Sequence, residues 1–348
     1  MRQISLTSRP RRAWEVDESG FPRAGTVEEK LRFLVYYAVL APSTRNTQPW
    51  IFRTHNNAID LLMDPTRALP VTDPEHREMI ISCGAAAFNL RVAIRHFGYL
   101  DRFMAFPDPA EPSLLARIGL GAPAIASKQE ELLFHAIKLR RTYRHPFLDR
   151  ALPEPMLYRL KMGARQDGMW LHFLDKKPER EAMVKLIAEA EYRQLHNGAA
   201  RREILSWMHP APRLDQDGVP AYALGSIPHV RAPGMAVFGA RKTKLDEVTL
   251  DSENLARVAP ALAVLGTASD DPGAWLRVGQ TLEEILLSCA ADRVFVSFMN
   301  QPVQIAELRP RVAEIVGETG YAQIILRLGY GASATPTPRR STEDVLIS

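Results

Sequence analysis

Apolar positions recur along the first third of the chain with two different periods. Leu31, Leu34, Val35, Ala38 and Val39 fall at helical spacing. They follow Thr26-Val27-Glu28-Glu29, a capping box in which hydroxyl and carboxylate each satisfy the other's backbone amide. Pro42 closes that helix, because the residue before a proline is pushed out of the α region. Residues 50–53 and 59–63 read as strands, and Asn56-Asn57 between them suits a tight turn, since Asn tolerates positive φ. Asp73-Pro74 supplies an N-cap and a proline at the first helical position. The helix it opens is apolar on most faces from Met79 to Ile94, which predicts a buried central helix ending at Gly98.

Residues 105–123 carry four prolines and read as a crossover. Helices are predicted over 130–139, from Pro153 onward, and over 178–196, with strands over 170–174, 235–238, 261–265 and 323–328. Residues 198–233 are proline-rich with little periodicity, which suggests a lid or binding segment. A second long apolar helix is predicted from Trp275 to about Val296. The two long helices echo each other. With Gly84 laid on Gly279, Leu90, Val92, Ala93 and Ile94 fall on Ile285, Leu287, Ser288 and Cys289. The fold class expected is α+β: two similar halves in one chain, each a mainly antiparallel sheet packed around a long buried helix. The boundaries expected are an irregular arm over 1–24, a first half over 25–128, and a second half over 129–348 carrying the segment 198–233.

Composition narrows the possibilities without choosing one. Of 348 residues, 46% are apolar and 24% charged, as in ordinary globular proteins. A net charge of +4 from 44 basic and 40 acidic residues, without a run of like charge, argues against a nucleic-acid partner. Cys83 and Cys289 lie far apart inside apolar helix patterns and read as small buried residues. The nine histidines show no metal-ligand spacing, so no metal is expected. No apolar run approaches a membrane span and no secretory signal is seen, so the location expected is cytoplasmic. The signatures GxSxG, Walker loop and GxGxxG are absent.

Three polar stretches remain. Pro42-Ser43-Thr44-Arg45-Asn46-Thr47-Gln48 stands before Trp50 and holds more hydrogen-bonding side chains than a helix cap requires. Arg140, Arg141, Thr142 and Arg144 precede Pro146-Phe147, and guanidinium forks match phosphate oxygens. Arg339 and Arg340 follow a rigid Pro336-Thr337-Pro338. Together with Asp64-Pro65-Thr66-Arg67, Asp217-Gly218-Val219-Pro220 and Leu328-Gly329-Tyr330-Gly331, these stretches resemble the nitroreductase superfamily. The likeness is strongest to its twin-domain, Acg-like branch, and covers about residues 27–347.

That resemblance implies one flavin mononucleotide (FMN) per chain at the interface of the halves. It implies phosphate binding by Arg140, Arg339 and Arg340, with Arg141 and Thr142 alongside, and an electrostatic role for Arg144 at the ring's pyrimidine edge. Pro42, Ser43, Thr44, Asn46 and Gln48 would reach the same flavin from the first half. It further implies two-electron reduction of a nitro, quinone or similar small acceptor with NAD(P)H as reductant, in a monomeric pseudo-dimer open to further oligomerisation. The alternative is an FMN-sequestering protein whose covered flavin turns over little. Two departures from the family pattern stand out: Asp292-Arg293-Val294 replaces a Gly-Leu turn, and Phe298-Met299-Asn300-Gln301-Pro302 lacks an acidic-glycine element.

Overall fold

In the computed structural model, residues 13–165, 168–209, 216–223 and 252–347 are described. Two sheets flank a pair of long helices. The first sheet has the order β11-β1-β2-β4-β3. Its strands are β1 (Trp50–His55), β2 (Ala58–Met63), β3 (Tyr99–Ala105), β4 (Leu114–Pro123) and β11 (Leu346–Ile347). All pairings are antiparallel except β11, which runs parallel to β1 with Phe52 opposite Leu346. The second sheet, order β5-β8-β10-β9, is wholly antiparallel. It comprises β5 (Met169–Phe173), β8 (Ala261–Thr267), β10 (Tyr321–Gly329) and β9 (Phe295–Phe298). The mixed α+β architecture is the one expected.

Alternation along the strands decides where each sheet faces. In the first sheet Phe52, Ile59, Leu61, Ala116 and Ile118 enter the main core. The residues between them point outward, and there Arg53 and Arg117 close on Asp60 at 2.9 and 2.6 Å, with Glu111 2.7 Å from Arg53. Those guanidiniums hold the Asp60 carboxyl below its ordinary range although burial opposes them. The second sheet is covered on both sides. Ala261, Ala263 and Leu265 face the main core, whereas Leu262 and Val264 face a second core built on the helix Lys177–His196.

The central helices are Arg77–His96 and Pro272–Ala291. They cross where the two glycines meet. A Cβ added to Gly84 would lie 2.3 Å from the Leu276 carbonyl oxygen, and one added to Gly279 would lie 2.0 Å from that of Ile81. Backbone thus touches backbone, which only glycine allows here. Of the positions paired by the sequence echo, Gly84 and Gly279 meet at the crossing.

Local signals held in several places. Thr26 and Glu29 form the capping box, and a second one joins Ser127 and Glu130 ahead of the helix Lys128–Ile137. Asn56 and Asn57 both take positive φ in the β1–β2 turn. Both cysteines are buried and free, and burial pushes both thiols up.

Other expectations are corrected. Residues 105–123 are no crossover: β3 and β4 form a hairpin, with Pro107, Pro109 and Pro112 confined to the connection between them. The first central helix starts at Arg77, three residues after Pro74, because His76 turns left-handed at φ 60°. Asp73 still caps it, its carboxylate accepting from the amides of Glu78 at 3.0 Å and Met79 at 2.9 Å. The second central helix stops at Ala291. Arg293 turns the chain at φ 58°, and Val296 belongs to β9. Part of 198–233 is ordered as the helix Gly198–Ser206, capped by Asn197, followed by the short parallel pair β6 (Met208–His209) and β7 (Val219–Pro220). Residues 13–24 are tied in by buried Ala13, Val16 and Phe21. Residues 1–12, 210–215, 224–233 and the strand expected over 235–238 lie outside the described residues.

Candidate functional site

The three polar stretches arrive at one place by three different routes. Residues 42–48 leave the first helix (Val27–Ala38) and turn through left-handed Arg45, Asn46 and Gln48, at φ 51°, 58° and 52°. Such a run is costly for residues with a Cβ. It is held from outside: Ser43 Oγ accepts from the Gln48 amide at 2.9 Å, and Asn46 Nδ2 donates to the carbonyls of Gly218 at 2.9 Å and Pro338 at 3.1 Å. Residues 140–144 follow the helix Lys128–Ile137 and bridge at Thr142 to Val296 of β9. Residues 336–340 return from β10 along the same wall.

Where they meet, a small cavity of about 30 Å³ is walled by Arg140, Arg141, Arg144 and Arg339 with Thr142, Pro42, Ser43 and Asn46. Arg140 and Arg339 are 4% and 8% exposed. Both donate to one carbonyl, that of Leu40, at 3.1 and 3.3 Å, so two like charges share an acceptor. Arg339 also donates to Asn46 Oδ1 at 2.9 Å and to Thr337 Oγ1 at 2.6 Å. Arg141 stacks over Trp14 at 4.1 Å, and Arg144 donates to the Ala223 carbonyl at 3.0 Å. Burial, then the charge of Arg140, pushes Arg141 and Arg144 down to about 10. Arg339 is driven further in the same direction by burial and by Arg140 and Arg141.

The carboxylate acting on Arg140 is Glu283, fully buried on the second central helix and 3.6 Å from Arg140 Nε. Burial outweighs the neighbouring arginines and pushes Glu283 up to about 8. It is therefore a weak counter-ion at neutral pH. The Nε atoms of Arg140 and Arg339 are buried and make no hydrogen bond among the described residues. Two buried and two half-buried guanidiniums with so little compensating charge are unfavourable unless an anion joins them. A phosphate, with acceptor oxygens in every direction, fits that demand.

A larger cavity of about 330 Å³ adjoins this pocket, and Pro42, Ser43, Thr142 and Arg144 line both. Thr44 lines the larger one, together with Glu78, Ser82 and Ala85 of the first central helix and Phe298 to Gln301 after β9. Its far wall comes from Glu191, Gln194, Leu195, Ile204 and Met208. Glu78 is buried and accepts from Thr44 Oγ1 at 3.0 Å, Gln304 Nε2 at 2.8 Å and Asn300 Nδ2 at 3.3 Å. It ties the first half's loop to the segment following β9.

Two expected site residues line neither cavity. Gln48 is fully buried and bonds the Gln216 carbonyl at 2.7 Å and the Arg340 amide at 2.8 Å. Arg340 donates to the carbonyls of Gln48 and Trp50 and lies 3.6 Å from Asp64. Both act as fasteners of the tail. Trp14 was missed by sequence reasoning. Its indole underlies Arg141 and Arg339, and the signal was an aromatic inside an arginine-rich arm that lacked periodicity. Glu78 was missed because it closes the charged run Glu75-His76-Arg77, which reads as a solvated helix start, and Arg327, which also lines the larger cavity, because a single charge in an apolar strand reads as an interruption.

No family model matches the chain. It is 31% identical over 332 residues, 94% of its length and 92% of the relative's, to "Putative NAD(P)H nitroreductase Rv3131" of Mycobacterium tuberculosis strain H37Rv. It is 25% identical over 330 residues, 93% of its length and 97% of the relative's, to "Putative NAD(P)H nitroreductase acg" of the same strain. Among solved structures, the FMN- and NADPH-dependent nitroreductase NfnB of a Sphingopyxis strain is similar over 62% of this chain and 98% of that one, at 15% identity and a TM-score of 0.40. With near-complete coverage of a relative at 31% identity, the chain belongs to the nitroreductase superfamily, in its Acg-like branch.

Proposed function

We propose that the chain is an FMN-dependent oxidoreductase that takes electrons from NAD(P)H and passes them, two at a time, to a nitro, quinone or similar small acceptor. The observation that carries this reading is the cluster of four arginines, two buried and two half-buried, around one small cavity. Arg140, Arg141 and Arg339 would hold the FMN phosphate, with Thr142 alongside. The ring would extend into the larger cavity past Ser43, Thr44 and Thr142. Arg144 lines both spaces and keeps a positive charge at their junction, which favours negative charge developing there. Asn46 positions Arg339 by accepting from it. FMN, when bound, supplies the two-electron chemistry itself; the protein orients it and tunes its surroundings.

The halves are read as two copies of one unit, and the Gly84–Gly279 crossing supports that, since equivalent positions meet at it. On this reading residues 42–46 belong to one copy, residues 140–144 and 339 to the other, and one FMN binds between them.

A sequestering protein is favoured by one feature. Residues 216–223 clasp the loop 42–48 and the C-terminal stretch: the Gly218 amide donates to the Asn46 carbonyl at 3.2 Å, and Tyr222 Oη donates to the Pro336 carbonyl at 3.0 Å. The visible spectrum of the purified protein, with the released flavin identified and NADPH then added anaerobically, separates the two. A yellow protein that bleaches supports the oxidoreductase. One that stays yellow supports sequestration, and a colourless chain that ignores added FMN overturns both.

A further inference from the structure

One cation in the larger cavity has no task in the reading above. Arg45 lies in the left-handed turn between Thr44 and Asn46, at φ 51°, ψ 20°. A non-glycine residue is held there only when its surroundings compel it, and such strain collects at ligand sites. Its side chain lines the larger cavity and not the smaller, arginine-walled one. Its Nε is buried and makes no hydrogen bond among the described residues.

The carboxylates that act on it are Glu78 and Glu203, and burial outweighs both. Both are already engaged. Glu78 accepts from Thr44, Gln304 and Asn300. Glu203 accepts from the amides of Val71 and Thr72 and from Thr72 Oγ1, at 2.6–2.9 Å. The other arginines of the cavity are spent on carbonyls: Arg327 on His145 and Tyr143, Arg144 on Ala223. Gln301 Oε1, buried in the same wall, accepts no hydrogen bond among the described residues.

We infer that Arg45 recognises an anionic group, a carboxylate or phosphate, on the small molecule that shares the larger cavity with the cofactor. A guanidinium fork matches such a group, and a buried Nε–H left without an acceptor is costly. The inference rests on the oxidoreductase reading and deepens it, by making the second substrate an anion. The anion has two sources, a carboxylate on the electron acceptor or the 2′-phosphate that distinguishes NADPH from NADH.

The test is isothermal titration of the full-length, FMN-loaded protein with 4-nitrobenzoate against its neutral isostere 4-nitrobenzamide, and with NADP+ against NAD+, which bind without reducing the flavin. In one of the two pairs the anion is expected to bind about tenfold or more tighter. Arg45→Met should abolish that preference, and Arg45→Lys should restore part of it. The pair that responds identifies the source. Equal binding within both pairs, or a preference that survives Arg45→Met, overturns the inference. Loss of bound flavin from Arg45→Met also overturns it, by making Arg45 a cofactor contact. Flavin content is read separately from the spectrum, so a colourless wild type counts against the FMN reading, while the benzoate pair still reports on Arg45.

Discussion

At the scale of single residues, Arg140, Arg339 and Arg340 illustrate how neighbouring cations differ in what they can do. Arg140 and Arg339 line a common cavity and their buried Nε atoms make no hydrogen bond among the described residues, whereas Arg340 spends its donors on the Gln48 and Trp50 carbonyls. A lost hydrogen bond to a charged group costs roughly 1.5–3 kcal/mol, or about ten- to a hundredfold in affinity. Arg140→Ala and Arg339→Ala should therefore weaken FMN binding by that factor each, and Arg144→Ala should lower flavin retention as well. Arg340→Ala should leave the FMN Kd close to wild type while lowering Tm. The flavin-to-protein ratio after dialysis, beside a thermal melt, checks the set. Glu283 gives a pH prediction. Its carboxyl rises from an ordinary 4.5 to about 8, so across that window the native protein binds a proton that the unfolded chain has lost. Its contribution to stability is present below 4.5 and is lost as pH rises toward 8. Glu283→Gln should flatten that part of the stability curve, as read by urea unfolding at pH 5 and pH 8.

At the scale of elements, the crossing of the central helices depends on two missing side chains. Each added Cβ would lie within 2.3 Å of a carbonyl oxygen on the facing helix, where backbone cannot yield as a flexible side chain does. Gly84→Ala and Gly279→Ala should each destabilise by about 3 kcal/mol, at the upper end of overpacking costs. The exposed capping box at Thr26 is a milder case, and Thr26→Ala should cost about 1 kcal/mol, both changes visible in denaturant midpoints. These elements were legible in the sequence because their signals are local: a Thr with a Glu three residues on, paired asparagines in a turn, glycines in an apolar run. The hairpin of β3 and β4 was not, because alternation there is broken by Asp101, Arg102 and Gly119 and obscured by the prolines between the strands. The two-residue strand β11 carries no pattern at all; its pairing with β1 is decided by tertiary position. The arginine pocket was legible in its ingredients but not its division of labour. Which of Arg339 and Arg340 faces the cavity depends on a backbone path that no spacing rule specifies.

At the scale of the whole molecule, the site is a junction of segments far apart in sequence. Asn46 and Arg339, which are hydrogen-bonded, are separated by 293 residues, and Gln48 meets Arg340 across 292. The tail is fastened by these bonds and by the short β11–β1 pairing. Removing residues 341–348 takes Val345 and Leu346 from the edge of the main core and should raise the rate of FMN loss several-fold, because Arg339 would lose the support beyond it. Flavin fluorescence release, compared with far-ultraviolet circular dichroism of the same sample, would check this; wild-type retention would show that the tail needs no anchor. The parallel strand at the edge of the first sheet has a consequence for biosynthesis. Chains fold from the N-terminal side as they are made. The loop 42–48 is therefore finished long before the residues that clasp it, and waits through synthesis of nearly three hundred more. On the proposed site, cofactor capture would be deferred until the ribosome has released the last basic residues, and a chain cut short by a nonsense codon would leave the cell colourless protein in place of a half-assembled, reactive flavin.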